Sequence, residues 1–277
     1  MSETQHHDYH LVDPSPWPIV GSFSALFLAV GALFYIHDEE PGGVMLAAGF
    51  AAVLYTMYVW WRDVVREGEK GGHHTKVVRH GLRLGMSLFI LSEVMFFFAF
   101  FWSFFKAALA PELVFDGSHI FEAGTTVVEG VFPPEGVETF NPWDLPLMNT
   151  LVLLLSGTTV TWAHYALLKD NRKDLITALT ITVLLGLAFT GLQIIEYSHA
   201  TFGFKDGIYS SNFYMATGFH GVHVFIGTIF LAICLIRARK GQMTPDGHLG
   251  FEFAAWYWHF VDVVWLFLFA FVYVWGQ

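Results

Sequence analysis

Residues 84–109 read LGMSLFILSEVMFFFAFFWSFFKAAL, a run of apolar and aromatic side chains interrupted by single polar positions. As a helix rising 1.5 Å per residue, such a run crosses about 30 Å of hydrocarbon, for which about 20 residues suffice. Six further runs have the same character: Trp17–Ile36, Val44–Trp61, Leu147–Leu168, Leu175–Ile195, Asn212–Ile236 and Phe253–Trp275. A soluble core would show apolar stripes with charges between them, and a membrane β-barrel would show alternating ten-residue strands; these runs are apolar on all faces. The composition agrees. Of 277 residues, 55% are hydrophobic, 18% aromatic and only 14% charged, against about 25% charged in an ordinary soluble chain. With a net charge of −10 and Cys234 as the single cysteine, disorder, nucleic-acid binding and a disulfide scaffold are excluded. The reading is an all-α polytopic membrane protein of seven transmembrane helices.

The first loop, residues 37–43, is short and carries Pro and Gly, so the first two spans form an antiparallel pair. No internal repeat of the transporter kind is present. Residues 1–16 are polar, acidic and rich in histidine, without a basic segment before a short apolar core, so no cleavable signal peptide is expected.

Lysine and arginine placement orients the chain. Arg62, Arg66, Lys70, Lys76, Arg79 and Arg83 flank or fill the second loop; Lys169, Arg172 and Lys173 the fourth; Arg237, Arg239 and Lys240 the sixth. These are 12 of the 14 basic residues. All three loops fall on one side of a seven-span chain, which predicts the N-terminus inside and the C-terminus outside. The opposite face is acidic: Asp38, Glu39 and Glu40 in the first loop, and Glu112, Asp116, Glu122, Glu129, Glu135, Glu138 and Asp144 in the third. This pattern has two readings, an acidic surplus left by the basic bias or a negative field that draws a basic soluble partner.

Ionisable groups at membrane depth are costly and mark function or specific pairing. Glu93 lies about ten residues into its span, hence roughly 15 Å deep, where a carboxyl must be paired, hydrogen-bonded or protonated. The sixth span has its midpoint near residue 224, which brings His223 to the depth of Glu93, with His220 one turn outward on roughly the same face. Gly218 and Gly221 leave room for a close neighbour. A Glu–His pair between helices serves either as a structural lock or as a proton-transfer element; separate partners are the third possibility. Two histidines three apart can serve a metal, but no Cys or Asp flanks them. Membrane di-haem proteins pair histidines on each of two helices, whereas His164 and His259 stand alone in their spans, so no metal or haem is expected on this chain. His259 and Asp262 are i,i+3 neighbours whose contact fixes helix register or engages another helix. Cys234 reads as a small packing residue.

At the inner interface Trp60, Trp61, Arg62, Arg66, Arg83 and Arg237 form either an ordinary aromatic belt with snorkelling arginines or a set of lipid-headgroup contacts. His6, His7, His10, His73, His74, His80 and His248 also fall inside, either simply solvated or collecting protons at the surface.

Five strings carry a family resemblance: LVDPSPWP at 11–18, WWRDVVRE at 60–67, SEVMFFF at 92–98, GFHGVHV at 218–224 and AWYWHFVDVVW at 255–265. Together they resemble subunit III of cytochrome c oxidase across essentially the whole chain, and the length of the third loop resembles bacterial members. The resemblance implies a segment 1–16 on the cytoplasmic side, a two-helix bundle (17–66) and a five-helix bundle (67–277) around a V-shaped cleft filled with phospholipid. It implies a non-redox accessory subunit in a bacterial inner (plasma) membrane, with structural phospholipids but no haem or copper of its own. Its partners would be subunit I, which reduces oxygen and pumps protons, and subunit II, which receives electrons from cytochrome c. Haem a and copper would belong to those partners. The accessory subunit would stabilise the catalytic one and support proton uptake. Glu93 matches the family's carbodiimide-reactive carboxyl; Trp61, Phe89 and Arg237 match lipid-contacting positions, beside which stand Trp60 and Arg83. His6, His7, His10, His73 and His74 are the candidate proton antenna. The competing readings are an independent transporter or channel, with Glu93, His223, Asp262 and Glu196 as relay stations, and the equivalent subunit of a quinol oxidase. Relatives of the latter kind typically lack the first two helices.

Overall fold

The computed structural model of the chain describes residue 9 and residues 14–69, 74–110, 132–134 and 137–277. Among these residues all regular structure is helical, apart from an isolated bridge between Thr244 and Gly247. The helices are α1 (Trp17–Ile36), α2 (Gly42–Glu69), α3 (Lys76–Leu109), α4 (Leu145–Leu168), α5 (Arg172–Ser198), α6 (Ile208–Arg239) and α7 (Leu249–Leu268), the last continuing as a π-helical segment, Phe269–Val274. All seven are long and apolar enough to cross a membrane. Several run past the apolar spans read from the sequence: α3 begins eight residues before Leu84, at Lys76, where Thr75 Oγ1 accepts from the Val78 N–H. Helix hydrogen bonding does not stop where hydrocarbon does, so apolar runs mark membrane thickness rather than helix ends.

By internal contacts the chain divides into two compact units, Met1–Leu82 and Arg83–Gln277, with the boundary inside α3. In the first unit α1 and α2 form an antiparallel hairpin. Its turn places Asp38 at φ +55° and closes with the Glu39 N–H on the Phe34 carbonyl at 2.9 Å. Glycines let the backbones meet: a Cβ on Gly31 would stand 2.5 Å from the Leu46 nitrogen, and one on Gly49 2.6 Å from the Leu28 Cα. At the far end the Trp17 indole N–H donates to Asp63 at 2.8 Å. Most other apolar side chains of the pair, including Phe23, Leu26, Leu33 and Tyr58, point outward, as a lipid-facing surface requires and a water-facing one forbids.

In the second unit α4, α5, α6 and α7 pack as a closed ring, each touching two neighbours. The α4–α5 turn is tight: Asn171 caps α5 by accepting from the Asp174 N–H at 3.2 Å. The centre is Trp258, fully buried. Its ring lies against Gly186 of α5 and Gly227 of α6, and its indole N–H donates to Ser156 of α4 at 2.9 Å. Trp265 repeats the device two turns on, donating to Thr150 at 2.9 Å. A tryptophan buried in this way needs an acceptor, and each of these two indoles finds an α4 hydroxyl. The part of α3 in this unit reaches α6 and α7 through long side chains, Phe96 and Phe97 meeting Phe219, His223 and Phe260 edge-on or tilted.

Candidate functional site

Two histidine–carboxyl pairs lie near the middle of the spanning helices of the second unit. In the first, Glu93 of α3 meets His223 of α6, with Oε2 2.8 Å from Nε2. His223 Nδ1 lies 2.6 Å from the Phe219 carbonyl. A carbonyl only accepts, so Nδ1 carries hydrogen, and one further proton lies between Nε2 and the carboxyl. Whether that proton sits on nitrogen or oxygen, the pair is neutral overall, which is what a low-dielectric interior favours. Both side chains are mostly enclosed, at 21% exposure for Glu93 and 12% for His223, and the rings of Phe96, Phe97 and Tyr257 surround the imidazole.

The second pair is His259 and Asp262 of α7, with Nδ1 and Oδ2 3.3 Å apart. Thr161 of α4 spends its hydroxyl hydrogen on the Gly157 carbonyl at 3.0 Å. It therefore accepts from His259 Nε2–H at 3.1 Å, and this pair too shares one proton. The Asp262 carboxyl rests on Gly157, where a Cβ would collide with it.

His220 goes elsewhere. Expected on the face of His223, it is completely buried and donates from Nε2 to the Val261 carbonyl at 3.1 Å. Three residues turn a helix by about 300°, and that 60° difference carries His220 into the α6–α7 interface. His259, expected among the buried polar groups, is on the surface of the unit with its side chain 46% exposed, because α4 is fully packed on the side of Ser156 and Gly157. Glu196 of α5, read only as a relay candidate, is fully buried and accepts from the Tyr273 hydroxyl and from Gln193. Asn149 extends that chain by donating to Gln193 at 3.5 Å.

The aromatic and guanidinium residues at the basic ends of the helices divide between the units. Trp60 and Trp61 belong to the first and are exposed, Trp61 at 58%. In the second, Phe89 is exposed along α3 and stacks on Tyr257 at 6.4 Å, and Arg237 is partly buried near the end of α6. Arg83 is held by Glu252 of α7 in a two-pronged pair at 2.9 and 2.8 Å. The sequence reading missed this pair; the residues stand 169 positions apart, and no local pattern joins them. His6, His7, His10 and His73 lie outside the described residues, as do Glu112, Asp116, Glu122, Glu129 and Glu135; His74 is partly buried. Among the described residues no three His, Cys, Asp or Glu side chains are grouped to hold a metal ion.

The family model for cytochrome c oxidase subunit III matches residues 7–277. A chain from Rickettsia bellii named probable cytochrome c oxidase subunit 3 is 57% identical, over 99% of this chain and 98% of its own length. The cytochrome c oxidase subunit 3 of Triticum aestivum is 56% identical over 100% and 99%, and that of Marchantia polymorpha 54% identical over the same shares. With seven spanning helices and a match over nearly its whole length, the chain belongs to the cytochrome c oxidase subunit III family, and so is a multi-pass membrane component of a multi-subunit respiratory oxidase.

Proposed function

We propose that this chain is the non-redox accessory subunit of a terminal cytochrome c oxidase. It stabilises the oxygen-reducing subunit, holds structural phospholipid and supports proton uptake, in the inner membrane of a bacterium with its basic loops inside. The observation that carries this reading is the full-length family match, with relatives 54–57% identical from end to end. In this reading subunits I and II are its partners, haem a and copper reside on them, and cytochrome c is the substrate of the whole complex. The neutral Glu93–His223 pair suits a lock between α3 and α6 in an apolar setting. In the second unit exposed Phe89 with Arg237, and in the first unit exposed Trp61, each suit phospholipid, whose headgroups meet guanidinium and whose chains lie on aromatic rings. Arg83 contributes by fixing the start of this α3 segment on α7 through Glu252. The domain reading, 17–66 against 67–277, belongs to the same proposal.

Affinity purification of the complex through this chain tests the assignment, since haem a absorption must accompany it; a haem-free assembly of this chain alone refutes it. Depleting the subunit then separates two modes of support. If it feeds protons to the uptake surface, the initial rate falls increasingly as pH rises. If it shields the neighbouring metal site, the initial rate holds and activity decays over successive turnovers.

A further inference from the structure

We propose that Glu196, held as a neutral acid, is a latch: through the Tyr273 hydroxyl it fixes the π-helical end of α7 on α5, and loss of its proton opens that end of the bundle. The proposal stands apart from the accessory-subunit reading. Phe269–Val274 departs from α-helical winding, with the Trp275 N–H on the Ala270 carbonyl at 3.1 Å, five residues back. At 100° per residue an α-helix would carry Tyr273 about 80° round from Trp265. One π turn sets it back by about a residue and so returns it to the side of Trp265, where the two rings stand 5.7 Å apart. Tyr273 is buried there, and its hydroxyl donates to Glu196.

Glu196 is fully enclosed. Its Oε1 accepts from Tyr273 and, at 3.2 Å, from the Gln193 amide, whose own oxygen accepts from Asn149 of α4 at 3.5 Å. Glu196 Oε2 and Asn149 Oδ1 are buried and have no hydrogen-bond partner among the described residues. The titratable groups beside the carboxyl are tyrosines: Tyr273 of the α7 extension and Tyr197 of α5, the latter bonded to Thr217 of α6. The nearby histidines are turned elsewhere, His220 of α6 to the Val261 carbonyl and His199 to the Ile195 carbonyl. Among the described residues no cation acts on Glu196. A carboxylate enclosed without a counter-charge takes up a proton rather than stay ionised. With hydrogen on Oε2, the chain of side chains holds one free donor and one free acceptor in place of two free acceptors. Opening the α7 end to water removes the penalty on the charged form, so the open state releases the proton that the closed state keeps.

The test uses the chain in its purified native assembly. Subtracting the infrared spectrum of Glu196→Gln from that of the parent is expected to leave the carbonyl stretch of a protonated carboxylic acid; a carboxylate band in its place overturns the proposal. Glutamine is the closest neutral mimic of the acid, so failure of Glu196→Gln to assemble overturns it as well. Deuterium exchange of the backbone amides of residues 269–276, followed by mass spectrometry, reads the latch itself. Tyr273→Phe keeps the ring and loses the donor, and is expected to speed exchange in this segment several-fold; unchanged exchange overturns the role of the hydroxyl. The ratio of exchange in the parent to that in Glu196→Gln at the same pH cancels the intrinsic pH dependence of amide exchange. Because the open state has released a proton, that ratio is expected to climb by up to about tenfold per pH unit above the ordinary carboxylate range. A ratio that does not change with pH overturns the latch.

Discussion

Glu93 and His223 share one proton between two helices, and that bookkeeping predicts how substitutions behave. In Glu93→Gln the amide N–H donates to His223 Nε2 while Nδ1–H stays on the Phe219 carbonyl, so the geometry survives without the exchangeable proton. Assembly of the complex is expected to match the parent, as measured by subunit stoichiometry after purification. Glu93→Ala instead leaves a buried acceptor unsatisfied at about 1–3 kcal/mol and is expected to lower the thermal stability of the subunit. Should Glu93→Gln assemble normally yet abolish proton pumping, the lock is the wrong role and proton transfer the right one. Around Trp258 the prediction is steric. A methyl on Gly227 would stand 2.8 Å from the indole ring, in a core with no slack, so Gly227→Ala is expected to destabilise by about 1–3 kcal/mol through overpacking, read as a lower melting temperature of the purified subunit.

The α1–α2 hairpin is an element in which two glycines set the distance between helices. Gly31 and Gly49 each face the partner's backbone rather than a movable side chain, so a methyl there cannot be absorbed by a rotamer change. Gly31→Ala and Gly49→Ala are expected to prise the helices apart, seen as faster proteolysis near the 37–41 turn. Gly85 in α3 supplies the contrast, because nothing stands within 4 Å of its would-be Cβ. Gly85→Ala is expected to be neutral or to stabilise α3 by up to about 1 kcal/mol, since alanine loses less backbone entropy in a helix. Opposite outcomes for chemically identical changes would locate the effect in the contact rather than in the residue type.

For the whole molecule, the proposed phospholipid binding turns on arginine and aromatic placement. Arg83 pairs with Glu252, and Arg237 is the residue of this set that the proposed headgroup binding is tested on. Arg237→Ala is expected to reduce phospholipid retained per complex after detergent extraction, measured by phosphorus analysis. Unchanged phosphorus would move the headgroup site elsewhere.

The seven spans, their apolar faces and the membrane class were legible in the sequence, because each is a local property. A run such as 84–109 must either cross hydrocarbon or be covered, and its length alone matches the bilayer. The depth of Glu93 and of His223 was legible for the same reason, as depth is counted in residues along one helix. Which groups touch was decided by the tertiary structure. Contact depends on how each helix is rotated about its own axis, at 100° per residue, and that rotation is set by where Trp258 fits between Gly186 and Gly227. Thus His223 faces Glu93 across 130 residues of sequence while His220, three positions away, faces the Val261 carbonyl. The same rotation turns His259 outward, and it brings Arg83 onto Glu252 through packing that no local pattern encodes.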